Sequence, residues 1–136
     1  MADIVSRKQR SWIMSRIRGK NTAPERAVRS IAHRMGFRFR LQSKDLPGRP
    51  DLVFKGLGKV IFVHGCFWHG HHCVEGSRRP KSNRAYWLAK IEGNRRRDAR
   101  TERALRRAGW GVMTIWECRL KAPDAVAERI WKFLRR

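Results

Sequence analysis

The run from His64 to Cys73, His-Gly-Cys-Phe-Trp-His-Gly-His-His-Cys, constrains this chain more than any other stretch. A loop this short and this rich in glycine needs something to hold it, and it carries its own candidate. Cys66, His71 and Cys73 lie within the loop, and Cys118 follows much later. Two thiolates and an imidazole plus a distant thiolate make a Cys3His set suited to tetrahedral zinc. Soft sulfur ligands favour zinc over magnesium, and four protein ligands close the site, which makes it structural. His72 or His69 could take the place of His71, since spacing alone does not choose among them. The competing reading is three buried free cysteines, a common fate for this residue.

The chain of 136 residues carries 33 Lys and Arg against 11 Asp and Glu, a net charge of +22. Such a domain attracts polyanions, and the commonest in a cell is the phosphate backbone of nucleic acid. Hydrophobic residues make up 41% of the chain and six Trp are present, enough for one packed core and unlike a disordered basic tail. No apolar run approaches a membrane span, and the amino terminus turns basic without an apolar signal core. The expectation is a monomer that stays in the cytoplasm, associated with the nucleoid through DNA. Three cysteines there suit a metal better than disulfides.

Residues 1–21 read as a basic arm with some helical content, and residues 22–136 as a single domain. Thr22-Ala23-Pro24-Glu25 has capping-box spacing, and Ala27, Val28, Ile31, Ala32 and Met35 recur at helical period before Gly36. Phe37, Phe39 and Leu41 alternate with polar residues, a strand with one wet face. Residues 51–54 and 59–64 predict two strands joined by a turn at Gly56 and Gly58. Residues 86–108 predict a helix with Leu88, Ile91, Leu105 and Ala108 inward and a candidate break at Gly93-Asn94. An apolar strand over 110–116 and a helix opening at Pro123 complete the order α-β-β-β-α-β-α.

Acids are scarce, yet Asp51 opens an apolar strand directly after Pro50. A hard oxygen ligand amid phosphate-attracting charge suits magnesium, which needs only one or two protein carboxylates. Pro50-Asp51, a turn and a second strand is the arrangement of PD-(D/E)xK nucleases. The acid and lysine expected in the second strand are replaced by Phe62-Val63-His64-Gly65. A backbone carbonyl can serve as ligand instead, and a neutral histidine, His64 or His69, can take a proton from water.

These motifs together are specific. Leu46-Pro47-Gly48-Arg49-Pro50-Asp51, Val60 to His69, His71-His72-Cys73 and Trp116-Glu117-Cys118 resemble the very short patch repair (Vsr) endonucleases. The resemblance implies a restriction-endonuclease-like α/β fold, a central mixed sheet flanked by helices with a structural zinc. It implies Mg2+-dependent nicking on the 5′ side of thymine in T·G mismatches left by deamination of 5-methylcytosine, with 3′-hydroxyl and 5′-phosphate ends. By motif, Asp51 and the carbonyl of Val63 match the magnesium ligands, His69 the general base, and Asp98 the acid that orients it. His64 and Glu25 match residues that hold metal-bound water or phosphate, and Cys66, His71, Cys73 and Cys118 match the zinc set. Val63 stands where the family usually has Thr, and Gly70 interrupts what is often a longer histidine run.

Phe67 and Trp68, two large aromatics in a glycine-flanked loop, and Trp87 in the next helix suggest a wedge between base pairs. Unstacking a mismatched step costs least, so the cost itself discriminates. Met14 matches a family residue that inserts from the opposite groove. Arg95, Arg96, Arg97, Arg100, Arg103, Arg106 and Arg107 spread around helical spacing, and most of the run reads as a phosphate-tracking face, with a solvated helix surface as the alternative. The expected partners are double-stranded DNA with a T·G mismatch and mismatch-repair proteins. Two other functions remain consistent with the sequence: a nickase of this fold with relaxed mismatch dependence, and a zinc-stabilised DNA-binding protein without catalysis.

Overall fold

The computed structural model describes residues 22–73 and 82–136, so the basic arm and Met14 lie outside the described residues. Helix α1 (Ala23–Arg34) starts where the sequence predicts. Thr22 caps it by accepting the Glu25 N–H at 3.4 Å, Pro24 occupies its first turn, and Gly36 leaves it at φ +85°. Strands β1 (Arg40–Leu41), β2 (Leu52–Phe54), β3 (Lys59–His64) and β4 (Gly111–Trp116) form one sheet in the order β1-β2-β3-β4. Helix α2 (Arg84–Arg107) connects β3 to β4, and α3 (Pro123–Arg135) closes the chain.

The sheet is mixed. β1 and β2 pair antiparallel, as do β2 and β3, whereas β3 runs parallel to β4 from Lys59 opposite Gly111 to His64 opposite Trp116. Period-two alternation then sorts the side chains onto two cores. Leu52, Phe54, Ile61, Met113 and Ile115 meet α1 and α3 through Val28, Ala32, Val126 and Ile130. On the opposite face, Val53, Val60, Phe62 and Val112 meet Leu105 of α2. Both faces are covered, which is why β2 is buried at every position. No helix of the described residues is long and apolar enough to cross a membrane.

Three local expectations change. The strand over 37–42 shrinks to Arg40–Leu41; Gln42 at φ +44° ends it, and Leu41 is 46% exposed. Phe37 and Phe39 still pack, each against Phe54. In α2 the inward residue is Trp87 and not Leu88, which sits about 100° around the helix from it. Ala108 is likewise exposed, at the helix end. Gly93 and Asn94 do not interrupt α2.

The Pro47-Gly48 turn is pressed onto α2. A Cβ at Gly48 would lie 2.4 Å from Thr101 Cγ2, and the residue sits at φ +74°. Gly48→Ala should therefore lose about 1–3 kcal/mol, from left-handed strain plus overlap. Urea denaturation measures this, and adding Thr101→Ala should recover the overlap part alone.

Candidate active site

β2 enters the sheet through Pro50, which is fully buried, so Asp51 emerges at the edge of the core. Its Oδ2 accepts the Val63 N–H at 2.6 Å, and its carbonyl accepts the Gln42 N–H at 3.2 Å. Gln42 also donates through Nε2 to Glu25 Oε2 at 3.0 Å, while Arg29 reaches the same oxygen at 3.1 Å. Gln42 thus ties the buried Glu25 of α1 to the backbone of Asp51. Nothing in the sequence singles out Gln42, because a polar residue at a strand end is unremarked until its φ is known.

Burial pushes the Asp51 carboxyl up to about 7. The Val63 N–H opposes that shift, the nearby Glu25 charge adds to it, and Arg29 and His69 pull it back down. A carboxyl held this way, with a second carboxylate close by, is one whose ionised form a hard cation would stabilise.

His64 ends β3, and His69 lies in the following turn, where its N–H donates to the Gly65 carbonyl. The two imidazoles stack, with centroids 3.8 Å apart and planes within 1°. His69 Nδ1 is 2.6 Å from Asp98 Oδ2 on α2. An ionised carboxylate only accepts, so Nδ1 carries the proton and Nε2 is left with its lone pair. Burial, reinforced by His69, pushes His64 down to about 4 against the pull of Asp98, so His64 is neutral at neutral pH. An open cleft of about 980 Å³ brings Glu25, Asp51, Val63, His64, His69 and Asp98 to a common surface.

The aromatics border the same cleft. Phe67 and Trp68 meet edge to face at 5.2 Å, both half-buried. Trp87, placed by sequence reading beside them as a wedge, is only 6% exposed and backs them at 5.6 and 5.5 Å. It braces the pair from beneath and is not offered to a duplex. Asn94 donates to the Trp68 carbonyl at 2.7 Å, a positioning role that its place as a candidate helix break had hidden. Of the arginine run, Arg97 lines this cleft.

Beyond His69 the loop turns back, the His71 N–H donating to the Cys66 carbonyl at 3.0 Å. The ligand atoms of Cys66, His71, Cys73 and Cys118 all lie within 4.8 Å of one another, a possible metal site. Cys118 Sγ is 3.6 Å from His71 Nδ1, and the Cys118 N–H donates to Cys66 Sγ at 3.4 Å. His69 belongs instead to Asp98, and His72 is exposed. Three sulfurs and a nitrogen so close together match tetrahedral zinc in both spacing and softness. Burial pushes the Cys66 thiol up to about 12, a shift that a bound cation would reverse. Trp116 touches both groups, stacked on His71 at 4.2 Å and edge-on to His64 at 5.2 Å.

Residues 2–75 match the family model described as DNA mismatch endonuclease Vsr. The chain belongs to the Vsr endonuclease family. It is 51% identical over 134 residues to the type II nicking enzyme V.XorIIP of Xanthomonas oryzae pv. oryzae, covering 98% of both chains. It is 39% identical over 139 residues to the DNA mismatch endonuclease Vsr of Escherichia coli, covering 98% of this chain and 88% of that protein. The catalytic domain of the homing endonuclease I-Bth0305I superposes with a TM-score of 0.57 at 24% identity, over 83% of this chain and 94% of that domain. That likeness supports the restriction-endonuclease-like fold. As a Vsr-family protein the chain is a DNA endonuclease, a hydrolase of phosphodiester bonds.

The raised Asp51 pKa has a consequence for folding. The neutral acid is favoured in the folded state, so its contribution is complete below the unfolded value near 4 and is lost as pH rises through about 7. Without divalent metal, Asp51→Asn should match the parent in stability below pH 4. At pH 8 it should exceed the parent by on the order of 4 kcal/mol. Denaturation midpoints across this range test it, and equal stability at pH 8 would contradict the buried, strained carboxylate.

Proposed function

We propose that this Vsr-family enzyme nicks one strand of duplex DNA on the 5′ side of the thymine in a T·G mismatch, with Mg2+ at Asp51 and zinc in the Cys66–His71–Cys73–Cys118 cluster. The observation that carries the reading is that Asp51, the His69–Asp98 pair and the Phe67–Trp68 pair border one cleft. Asp51 and the Val63 carbonyl would hold the magnesium. In an extended strand the N–H and C=O of a residue face the same neighbour, and the Val63 N–H already faces Asp51. The change from Thr to Val at this position leaves that carbonyl in place. Magnesium supplies Lewis acidity toward the scissile phosphate.

The protein groups divide the remaining work. His69 takes a proton at Nε2 from the attacking water, and Asp98 holds the ring by Nδ1 and stabilises the imidazolium that forms. The water oxygen bonds to phosphorus as the bond to the 3′ oxygen breaks, leaving a 3′-hydroxyl and a 5′-phosphate. His64, neutral and stacked on His69, fixes the ring without adding a competing charge. Glu25, buried and held by Gln42 and Arg29, orients water or phosphate across the cleft. Phe67 and Trp68, braced by Trp87, enter the base stack where it yields most easily. That penalty is a few kcal/mol at a paired step and least at a mismatch.

Duplexes with T·G, A·T or G·C at one position, incubated with Mg2+, should show a nick only in the first, at the 5′ side of the thymine. Asp51→Ala should abolish the nick and retain DNA binding. Several relatives, V.XorIIP among them, are named as nicking enzymes, which favours a second reading, a nickase with relaxed mismatch dependence. Equal cutting of all three duplexes would establish that reading in place of the first. Binding without cutting would leave a DNA-binding protein without catalysis.

Protein purified without added metal should carry one zinc per chain by elemental analysis. Cys118→Ser should lose the zinc and fall in thermal midpoint. A fully loaded, equally stable variant would remove Cys118 from the ligand set.

A further inference from the structure

Helix α2 carries its arginines on more than one side. Trp87, Ile91 and Leu105 pack inward, and Lys90, Asn94, Arg97, Asp98 and Thr101 line the catalytic cleft. At about 100° per residue, Arg96, Arg100, Arg103 and Arg107 fall within roughly 60° of one another, on the side opposite Ile91, Asp98 and Leu105. All four are exposed, and none lines the cleft. The sequence spreads this arginine run around helical spacing, with most of it expected as a phosphate-tracking face. The helix instead splits it, with Arg97 at the cleft and the centre of these four about 90° around the helix from it.

The stripe is also electrostatically uncompensated. Arg95 and Arg106, which flank it, pair with Glu92 and Glu102 at 3.3 and 3.4 Å. No ion pair is formed by Arg96, Arg100, Arg103 or Arg107 among the described residues. Like charges at i,i+3 and i,i+4 destabilise a helix, and the stripe contains three such neighbours in series. From Arg96 to Arg107 it extends about 16 Å along the axis. Phosphates of one DNA strand recur about every 3.4 Å along the duplex axis, so the stripe spans about five of them. Guanidinium groups suit phosphate in particular, because their forked donors match its oxygens.

From this we infer that Arg96, Arg100, Arg103 and Arg107 form a second DNA-binding surface, which takes the backbone of a duplex segment separate from the one in the catalytic cleft. A straight duplex in the cleft meets the side of α2 that carries Arg97 and cannot also lie along the far side. The enzyme therefore holds two segments of DNA at once. Contacts to backbone alone carry no sequence choice, so the second segment needs no mismatch. The inference rests on the cleft being the site of the cut duplex.

The test uses the full chain with its cleft saturated by an unlabelled T·G duplex of about 14 base pairs, a length several times the stripe's reach, without added magnesium. A fluorescent, fully paired duplex of the same length is then titrated in, and complex mass is read by analytical ultracentrifugation. The parent protein should form a complex of one chain with two duplexes. The variant R96Q/R100Q/R103Q/R107Q should bind the second duplex more than about tenfold more weakly, yet in a separate assay with Mg2+ nick the short T·G duplex at the parent rate. The matching four-fold Arg→Lys variant should restore most of the second binding. Circular dichroism should show the Gln variant's helix intact, as relief of like-charge repulsion requires. A parent complex that stops at one duplex overturns the inference, as does undiminished second binding by the Gln variant. Polyglutamate outcompeting the second duplex at equal charge would also overturn it, in favour of an acidic protein partner. Loss of nicking by the parent on the T·G duplex would count against the cleft assignment alone, since second-duplex binding is read independently.

Discussion

The parallel pairing of β3 with β4 is the constraint on which the rest of this structure depends. Its register runs from Lys59 opposite Gly111 to His64 opposite Trp116. Two residues past each strand end stand Cys66 and Cys118, so the same register that aligns the strands brings the distant thiols together. His64 and Trp116, the last aligned pair, lie at the boundary between the carboxylate–imidazole group and the thiol cluster. A slip of one residue would turn every side chain of β4 to the other face. Val112 and Ile115 would exchange cores, and Trp116 would leave both His64 and His71.

The cleft concentrates local costs that the surrounding packing sustains. Asp51 is buried against its preference for charge, Gln42 and Arg49 adopt left-handed backbone, and two imidazoles stack face to face. Each of these costs stability in isolation. They persist because the hydrophobic layers on both sides of the sheet over-determine the positions of β2 and β3. The result is a set of polar groups fixed at one cleft by the packing around them.

Element order, the position of Asp51 and the His-Cys loop were legible because each rests on local chemistry. Caps, alternation and ligand spacing are properties of neighbouring residues. What depended on three-dimensional phase was not legible. Trp87 and Leu88 are adjacent and both apolar, and only the packing of α2 on the loop decides that Trp87 goes inward. Gln42 and Asn94 act through single hydrogen bonds to residues far away in sequence, Glu25 and Trp68, which no periodicity encodes. Among His69, His71 and His72 the spacing left the thiol-cluster ligand open. Asp98, reaching across from α2, draws His69 to itself and leaves His71 beside Cys118.

The register of β3 and β4 also gives folding a direction. Lys59 and Gly111 are neighbours in the sheet yet are separated by the whole of the loop and α2, so their pairing requires a long closure. The antiparallel β2–β3 hairpin, joined by a short turn, closes over a much smaller span. A chain emerging from synthesis can therefore assemble Asp51 beside Val63 early, while Cys66, His71 and Cys73 wait for a fourth partner. Only when β4 docks does Cys118 arrive. The four-donor cluster thus records that the sheet has been completed, and capture of an ion there would hold that long closure in place.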